Sequence, residues 1–514
     1  MALHINLLNL YKNNLKIQIL DQICIIFISM NQGINFYRTY EVIKISQCHE
    51  SNGSKTLTPY SRLDRWKAVH DAITSWLLND ANDDVAVKVA EERFQFHDPL
   101  QKKIMSELFE RFRKLLPKPL PEVNIDYFRK EVIREINNTE VGMYTSFQYE
   151  LTDNDNIEYI KLKAGVTEIE DIDRAIIAES KYDDETFYTA QLIKDDFAEI
   201  EEPSNSKEII DEYFKIIEEY ETNRKKTEPG LHCYMCERPS RCGQYPVVNG
   251  EEVKSRDRGI LISKTNLLNL ENCERWPSWR AQYAIPKDFE NDSDESRLGR
   301  KYHDFAQKML VNNNDIFGSD EPKRLEALLE NEEEKFKTQI LKKYKELIEQ
   351  LDKNISDKDN LEIKLSEYGL GFTITEDGIV ANKNMSLRDG RVAVTFMGQA
   401  DLVGRYDDKP LIIELKTGRE SQNDLTEAEL YALGAKLLLN EDEVTVFHIY
   451  TNQDGGKLKP RVFGKDDYDT IIQKFQNKAQ RIAKWNPADA MSPKFTVGDW
   501  CSNCDYQITC PEYR

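Results

Sequence analysis

Eight of the nine cysteines fall into two sets with the same spacing. Each set has a triplet of the form C-x2-C-x5-C and one single cysteine far upstream. The first clasp consists of Cys48, Cys233, Cys236 and Cys242, and the second clasp of Cys273, Cys501, Cys504 and Cys510. Four thiolates close a tetrahedral zinc site or hold one iron–sulfur cluster. The spacing therefore predicts two metal-binding modules.

A second group of chemically useful residues lies between the cysteines of the second clasp. Glu414 and Lys416 are two residues apart in an apolar stretch, and Asp401 lies in the preceding one. Carboxylates are ligands for Mg²⁺ or Mn²⁺, and the backbone carbonyl of Leu415 adds a further candidate ligand. A metal at this position binds a phosphate oxygen and lowers the pKa of a bound water. Lys416 orients that water or stabilises the charge that develops on phosphorus.

Three further side chains are candidates for the same site. His303, on a predicted helix, is either a structural histidine or a metal ligand that shifts the preference from Mg²⁺ toward Mn²⁺. Glu427 and Tyr431 are four residues apart on a helical pattern and therefore share one face. They are expected to contact the substrate strand or to brace Lys416.

A predicted β-hairpin must position the carboxylates. Residues 396–405 alternate as a strand does, residues 407–410 form a turn signal, and residues 411–416 read as a buried strand. Side chains two residues apart in a strand point to the same face. Glu414 and Lys416 are therefore expected to meet the carboxylate of the partner strand.

Short sequences recur in the same order in the two halves of the chain. Residues 61–65 with His70 match residues 296–300 with His303, residues 148–151 match 399–402, and residues 160–165 match 413–418, each before its cysteine triplet. A common order of landmarks predicts a tandem duplication. The first module is expected over residues 30–248 and the second over residues 254–514. Residues 1–29 read as a non-native start or a disordered leader, with translation beginning at Met30 and no role for Cys24.

Composition bounds the class of protein. With 514 residues, 40% hydrophobic and 31% charged, the chain is long enough for two or three globular domains. The net charge of −21 excludes a molecule that is basic as a whole, although a local basic groove or bound metal can still meet nucleic acid. Clustered cysteines favour metal binding over disulfides in a reducing compartment, so a cytoplasmic location is expected. The apolar run 23–28 is too short to cross a bilayer, and no membrane role is predicted.

The second half resembles the RecB-like branch of the PD-(D/E)XK nucleases. The residues that carry the resemblance are Gly398-Gln-Ala-Asp401-Leu-Val, Ile412-Ile-Glu414-Leu-Lys416-Thr-Gly418, the upstream His303 and the second clasp. The closer resemblance is to the iron–sulfur members: CRISPR-associated exonucleases, the nuclease domain of the eukaryotic iron–sulfur helicase-nuclease, and AddB-type subunits. It covers most of residues 260–514. Glu427 departs from the glutamine of many relatives.

The resemblance implies an α/β fold and an activity. Each module would be a restriction-endonuclease-like mixed sheet flanked by helices and closed by its clasp. The implied activity is metal-dependent cleavage of DNA, often single-stranded and from ends. The second clasp would hold a 4Fe–4S cluster, and the first clasp a second one, with zinc as the alternative occupant of the cysteine sites.

The first module keeps the landmarks but not the chemistry. His70 and Lys163 are retained, and Glu150 takes the place of Asp401. Lys161 replaces Glu414, which puts an ammonium group where a metal ligand is needed. This degenerate site is therefore predicted to be inactive.

Two hypotheses follow from the sequence. The first is a DNA nuclease in repair, recombination or CRISPR adaptation, with one active and one inactive module and with a separate helicase or other repair or CRISPR proteins as partners. The alternative is a non-enzymatic DNA-binding or assembly subunit of a helicase-nuclease complex with two structural metal clusters. No G-x-x-x-x-G-K-[ST] loop is present, so a helicase would be a separate chain.

Overall fold

The fold comes from a computed structural model of the chain. It describes residues 36–513 apart from 50–61, 79–81, 95–98, 116–122, 129–130, 146, 152–155, 164–168, 224–225, 228, 231, 234–235, 237–240, 249–251, 288–292, 313–320, 331, 382–386 and 452–455. The predictions of a leader over residues 1–29, of a start at Met30 and of no role for Cys24 lie outside the described residues.

Internal contacts divide the chain into two compact units. The first comprises residues 1–46, 69–90 and 106–224, and the second residues 47–68, 91–105 and 225–514. Residues 225–248, which the sequence grouped with the first module, therefore have their contacts within the second unit. Cys48 and the first cysteine triplet lie in the second unit as well.

The chain up to residue 224 alternates helices and short strands. Its elements are β1 (Phe36–Arg38), α1 (Thr39–Gln47), α2 (Arg62–Leu78), α3 (Asp83–Phe94), α4 (Pro99–Leu115), β2 (Val123–Phe128), β3 (Glu131–Ile136), β4 (Thr139–Tyr144), β5 (Phe147–Leu151), β6 (Ile157–Lys163), α5 (Asp171–Ser180), β7 (Glu185–Gln191), β8 (Asp196–Glu199) and α6 (Ser206–Thr222). The β3–β4 turn uses Asn137 and Asn138, both at positive φ, as a tight hairpin turn requires.

The chain after residue 252 has longer strands and helices. Its elements are β9 (Arg258–Ser263), α7 (Lys264–Asn269), α8 (Arg275–Ala281), α9 (Asp294–Leu310), α10 (Glu321–Leu329), α11 (Glu334–Asn354), β10 (Leu361–Ala381), β11 (Leu387–Tyr406), β12 (Lys409–Lys416), α12 (Asn423–Leu439), β13 (Val444–Tyr450), β14 (Lys457–Phe463) and α13 (Lys465–Ala483). Short 3-10 helices span Lys358–Asn360 and Asp499–Asn503.

The second unit has a six-stranded mixed sheet covered on both faces. Its order is β10-β11-β12-β13-β14, and β9 pairs with β11. Leu411, Ile413 and Leu415 of β12 pack with α9 and α11, whereas Ile412 packs with α12 and α13 on the other face. Because strand side chains alternate between faces, both faces of β12 are buried.

The hairpin predicted for residues 396–416 is present. β11 and β12 are antiparallel, with Leu402 opposite Ile413, and the turn uses Asp407 and Asp408 at positive φ. Such residues favour a two-residue turn because aspartate tolerates the left-handed region. The turn signal in the sequence therefore set the register of the two strands.

The strands of the two halves pair in the same directions. β2–β5, β5–β6 and β7–β8 are antiparallel and β6–β7 is parallel, with α5 between the parallel strands. β10–β11, β11–β12 and β13–β14 are antiparallel and β12–β13 is parallel, with α12 between the parallel strands. In addition, β1 pairs in parallel with β4, as β9 does with β11. One order of pairing directions thus occurs twice.

Among the helices of the described residues, no helix has the length and the apolar character needed to cross a lipid bilayer.

Candidate active site

Asp401 is held at the β11–β12 hairpin by two contacts. The backbone N–H of Leu415 donates to its Oδ2 at 2.7 Å, and Nδ1 of His303 lies 3.1 Å from its Oδ1. Burial alone would raise the pKa of Asp401. The neighbouring His303 and Lys264 and the Leu415 N–H outweigh burial and bring the pKa below its usual value, so the carboxylate stays ionised. Burial alone would lower the pKa of His303, but the neighbouring Asp401 raises it above the usual value.

Glu414 on β12 is deeply buried, with 2% of its side chain exposed. Its Oε1 contacts Nζ of Lys264 at 2.5 Å and Nζ of Lys416 at 3.2 Å. Among the described residues, its Oε2 has no hydrogen-bond partner. Burial, followed by the nearby Asp401 and Glu427, raises the pKa of Glu414 to about 7. A bound cation would reverse that shift because it favours the charged carboxylate.

Lys416 is braced by the helix that follows β12. Its Nζ lies 2.6 Å from Oε2 of Glu427 on α12, in addition to its contact with Glu414. Burial lowers the pKa of Lys416, and Glu414 and Glu427 raise it above its usual value. The structure therefore brings these three predicted residues together and keeps Lys416 charged.

Tyr431 lies one turn after Glu427 and is fully buried. Its hydroxyl donates to the backbone carbonyl of Gln399 at 2.5 Å. A Cβ on Gly398 would lie 2.9 Å from the Tyr431 ring, so the glycine allows this close packing. Tyr431 thus ties α12 to β11 beside Asp401 and does not face solvent.

Lys264 was not a sequence candidate, yet it lies among the carboxylates. Its Nζ contacts Glu414 and lies 3.0 Å from Oε1 of Glu427. It is the first residue of α7 and directly follows β9. Both elements lie far upstream of the hairpin, which is why no local spacing pointed to Lys264. The available signal was a lysine two residues after the apolar stretch 259–262.

The buried His448 and the partly exposed Arg461 support Glu427 from behind, and neither was a sequence candidate. Nη1 of Arg461 lies 2.7 Å from Nδ1 of His448, and Nε2 of His448 lies 3.0 Å from Oε2 of Glu427. Because a guanidinium only donates, Nδ1 accepts and Nε2–H donates to Glu427. Burial lowers the pKa of His448 and keeps the imidazole neutral. The ring therefore fixes the carboxylate that holds Lys416.

His448 holds Glu427, which in turn holds Lys416. We therefore expect replacement of His448 to act indirectly, through the position of Lys416. His448→Leu removes the donor to Glu427 and should lower the rate of the nucleic-acid cleavage that the sequence predicts about 10- to 100-fold, because a small displacement of a reacting group is costly. His448→Gln keeps an N–H donor near the same position and should recover most of the rate. Single-turnover rates are compared with the binding constant for the nucleic acid. A loss of binding with an unchanged rate, or no rescue by glutamine, would contradict this role.

The residues at this site fit a divalent cation. No three histidine, cysteine, aspartate or glutamate side chains of the described part of the chain already surround one metal position. The donor set of Asp401, Glu414 and His303 nevertheless offers oxygen and nitrogen ligands. The Oε2 of Glu414, buried without a hydrogen-bond partner, is the atom that a cation would satisfy.

The second clasp surrounds one open pocket. The pocket is lined by Cys273, Arg275, Trp276, Trp279, Phe495, Trp500, Cys501, Cys504, Tyr506, Gln507, Cys510 and Tyr513. All four cysteines of this set thus face one space, and none forms a disulfide. Burial raises the pKa of Cys504 to about 12, with Cys273, Asp505 and Cys510 adding to the shift. The thiols are close enough to disfavour each other's charge, which a metal would offset.

The first clasp is attached to the edge strand β10 of the second unit. Thr373 of β10 donates its N–H to the carbonyl of Pro246 and accepts from the N–H of Val248, each at 2.9 Å. Tyr245, which follows the triplet, is buried against Met397 and Cys233. Cys48 is near enough to Cys233 to raise its pKa, after the larger effect of burial.

The degenerate site of the first half is closed by an ion pair. Lys161 on β6 contacts Oδ2 of Asp173 on α5, and both side chains are largely buried. Burial and the nearby Lys161 lower the pKa of Lys163. His70 is fully buried in α2. The pairing of β5 with β6 sets Glu150 opposite Ile157 and sets Phe147 opposite Ile160, so Glu150 and Lys161 are not brought together by register.

A family model matches the part of the chain that carries this site. Residues 262–511 match the family model of the PD-(D/E)XK nuclease superfamily, so this part of the chain is a domain of that superfamily. A search of curated proteins found no match. A solved structure titled "Crystal structure of SSO0001" is 16% identical, with 51% of this chain and 89% of that chain covered and a TM-score of 0.20.

Proposed function

We propose that the second unit is a metal-dependent deoxyribonuclease that acts on single-stranded DNA or DNA ends. The observation that carries the proposal is the buried group of Asp401, Glu414 and Lys416, in which one oxygen of Glu414 has no hydrogen-bond partner among the described residues. The family match of residues 262–511 supports the same chemistry.

Each residue has a distinct part in this proposal. Asp401, Glu414 and His303 would hold Mg²⁺ or Mn²⁺, which supplies charge neutralisation at the phosphate and a more acidic bound water. The Leu415 N–H orients Asp401, and the Leu415 carbonyl remains a candidate ligand. Lys416, held by Glu427, stabilises the negative charge that develops on the phosphorus oxygens. Tyr431 fixes the strand that carries Asp401.

The second clasp is proposed to hold a 4Fe–4S cluster that joins α8 to the end of the chain. Trp279 of α8 donates to the carbonyl of Ala490 at 2.6 Å, and Arg275 contacts Glu512 at 2.6 Å. The pocket lined by the four thiols lies between these segments. The first clasp is proposed to hold a second cluster, and zinc is the alternative occupant of both.

The first half is proposed to be an inactive copy of the second. The repeated order of strand pairing directions supports a tandem duplication. The Lys161–Asp173 ion pair supports inactivity, because it commits Asp173 to an ammonium group at the sequence position that Glu414 has in the second half. In this proposal the first half grips DNA or a partner protein, such as a separate helicase or other repair, recombination or CRISPR proteins.

The competing function is a DNA-binding or assembly subunit without catalysis. It predicts two structural metal sites and DNA binding without cleavage. The retained trio of Asp401, Glu414 and Lys416 in the second half favours the enzyme, since bringing several ionisable groups together away from solvent is costly and a scaffold gains little from it.

A cleavage assay on end-labelled substrates separates the two functions. The anaerobically purified protein is incubated with single-stranded DNA, duplex DNA and RNA of one sequence, with Mn²⁺, Mg²⁺ or EDTA. The proposal predicts cleavage of single-stranded DNA with Mn²⁺ and none with EDTA. Retarded but intact DNA under every metal condition would favour the scaffold, and cleavage of RNA alone would refute the assignment of substrate.

A further inference from the structure

We propose that Lys264 is a built-in counter-ion of the metal site, which neutralises Glu414 in the metal-free protein and opposes the binding of a metal to the same carboxylate. This inference rests on the proposed function and assigns a part to a lysine that the nuclease motif does not contain. It predicts that Lys264 weakens metal binding, whereas a lysine that only stabilised the transition state would not affect it.

The backbone fixes Lys264 at the site. Ser263 ends β9, pairs with Met397 of β11 and caps α7 by accepting the N–H of Asn266. Lys264 is therefore the first residue of α7 and lies beside Gly398. A Cβ at residue 398 would be 3.3 Å from the Cβ of Lys264. The absence of a side chain at residue 398 leaves room for Lys264 and for the Tyr431 ring, whose centroid is 5.6 Å from Nζ.

The contacts of Lys264 duplicate those of Lys416. Both ammonium groups reach Oε1 of Glu414, and both reach Glu427, Lys264 through Oε1 and Lys416 through Oε2. The site thus sets three carboxylates, those of Asp401, Glu414 and Glu427, against two ammonium groups. Buried carboxylates at such short range need cations, and in the metal-free protein Lys264 supplies one of them.

The same contact competes with a metal. A divalent cation bound by Asp401 and Glu414 would face the ammonium group that already sits on Oε1 of Glu414, and like charges at this range repel. Glu427 offers Lys264 a second position, since its Oε1 lies 3.0 Å away. Lys264 can therefore release Glu414 while it remains paired and inside the site.

The test measures Mn²⁺ binding without nucleic acid. Free Mn²⁺ is followed by electron paramagnetic resonance during titration of the full-length protein, of Lys264→Met and of Lys264→Arg. We expect Lys264→Met to bind Mn²⁺ about tenfold more tightly, which is the effect of removing one repulsive charge of modest strength. Lys264→Arg keeps the charge and should resemble the wild type. Lys409→Met makes the same change at the other end of β12, where Lys409 is exposed and pairs with Glu443. This control variant should not change Mn²⁺ affinity.

Thermal unfolding gives an independent readout. In EDTA, Lys264→Met should unfold at a lower temperature than the wild type because its carboxylates lose a counter-ion, and added Mn²⁺ should raise its unfolding temperature by more than it raises that of the wild type. Lys264→Gln, which is neutral and shorter, is measured in parallel so that misfolding of one variant does not decide the result.

The outcomes distinguish this inference from the proposed function. If the wild type binds Mn²⁺ and both neutral variants bind it equally or more weakly, the counter-ion role is wrong and the nuclease assignment stands. If neither the wild type nor the variants bind Mn²⁺, the metal site itself is wrong and the counter-ion role fails with it.

Discussion

Lys416→Met should lower the cleavage rate about 100- to 1,000-fold, the usual cost of losing one group that stabilises charge in the transition state. The reason is that Lys416 is the ammonium group held by Glu427 at the end of β12, next to Glu414. The fold should survive, because Lys264 still contacts both carboxylates and supplies a counter-ion. Single-turnover cleavage of end-labelled single-stranded DNA in Mn²⁺ measures the effect.

A matched control is available on the same strand. Lys409→Met makes the same change at the other end of β12, where Lys409 forms an exposed pair with Glu443. It should leave the rate within about twofold, since exposed ion pairs contribute little. Equal rates for the wild type and Lys416→Met, with folding and metal content unchanged, would remove Lys416 from the proposed chemistry.

Cys504→Ser should remove the metal proposed for the second clasp and destabilise the end of the second unit. Cys504 lines the pocket with Cys273, Cys501 and Cys510, and metal binding is coupled to folding at such sites. We expect the free energy of unfolding to fall by about 3–5 kcal/mol, as for other changes that remove a bound metal. The iron content of the protein should fall by about four atoms per chain if the occupant is a 4Fe–4S cluster.

Metal analysis and limited proteolysis test this expectation together. The segment after residue 485 should be cut earlier in Cys504→Ser than in the wild type. Ser502→Ala is the control, because Ser502 is exposed and lies between two cysteines of the clasp. Its iron content and its cleavage by protease should be those of the wild type. If the wild type contains zinc and no iron, the clasp holds zinc and not a 4Fe–4S cluster. An unchanged metal content in Cys504→Ser would contradict the clasp.

The strand hairpin was predictable because its signals are local. The Asp407–Asp408 turn and the buried stretch before Lys416 determine which residues face each other, and the structure has this register. The contact of Glu427 with Lys416 is also local in the sense that one short loop separates β12 from α12. Spacing within a strand or helix carries this kind of information.

Lys264, His448 and Arg461 could not be found in the same way. Lys264 reaches the site through the parallel pairing of β9 with β11, a contact between segments far apart in sequence. His448 lies in an apolar strand and reads as a core residue, and only its partners Glu427 and Arg461 show what it does. Long-range pairing of this kind leaves no periodic signal.

The degenerate site shows a limit of motif matching. The sequence matched residues 148–151 with 399–402 and placed Glu150 where Asp401 stands. In the structure, Glu150 is opposite Ile157, and Lys161 is instead paired with Asp173. Short motifs can align by composition while the strand register differs by several residues. The ion pair, which is an observed contact, is therefore the better argument for inactivity.

The most direct test of the nuclease site compares the wild type with Asp401→Asn, prepared side by side. This change keeps the shape of the side chain that meets the Leu415 N–H but removes a charged metal ligand. With equal iron content and equal unfolding in EDTA established first, both proteins are assayed on end-labelled single-stranded DNA in Mn²⁺. We expect cleavage by the wild type and a rate at least about 100-fold lower for Asp401→Asn. Cleavage by Asp401→Asn at the rate of the wild type would contradict it.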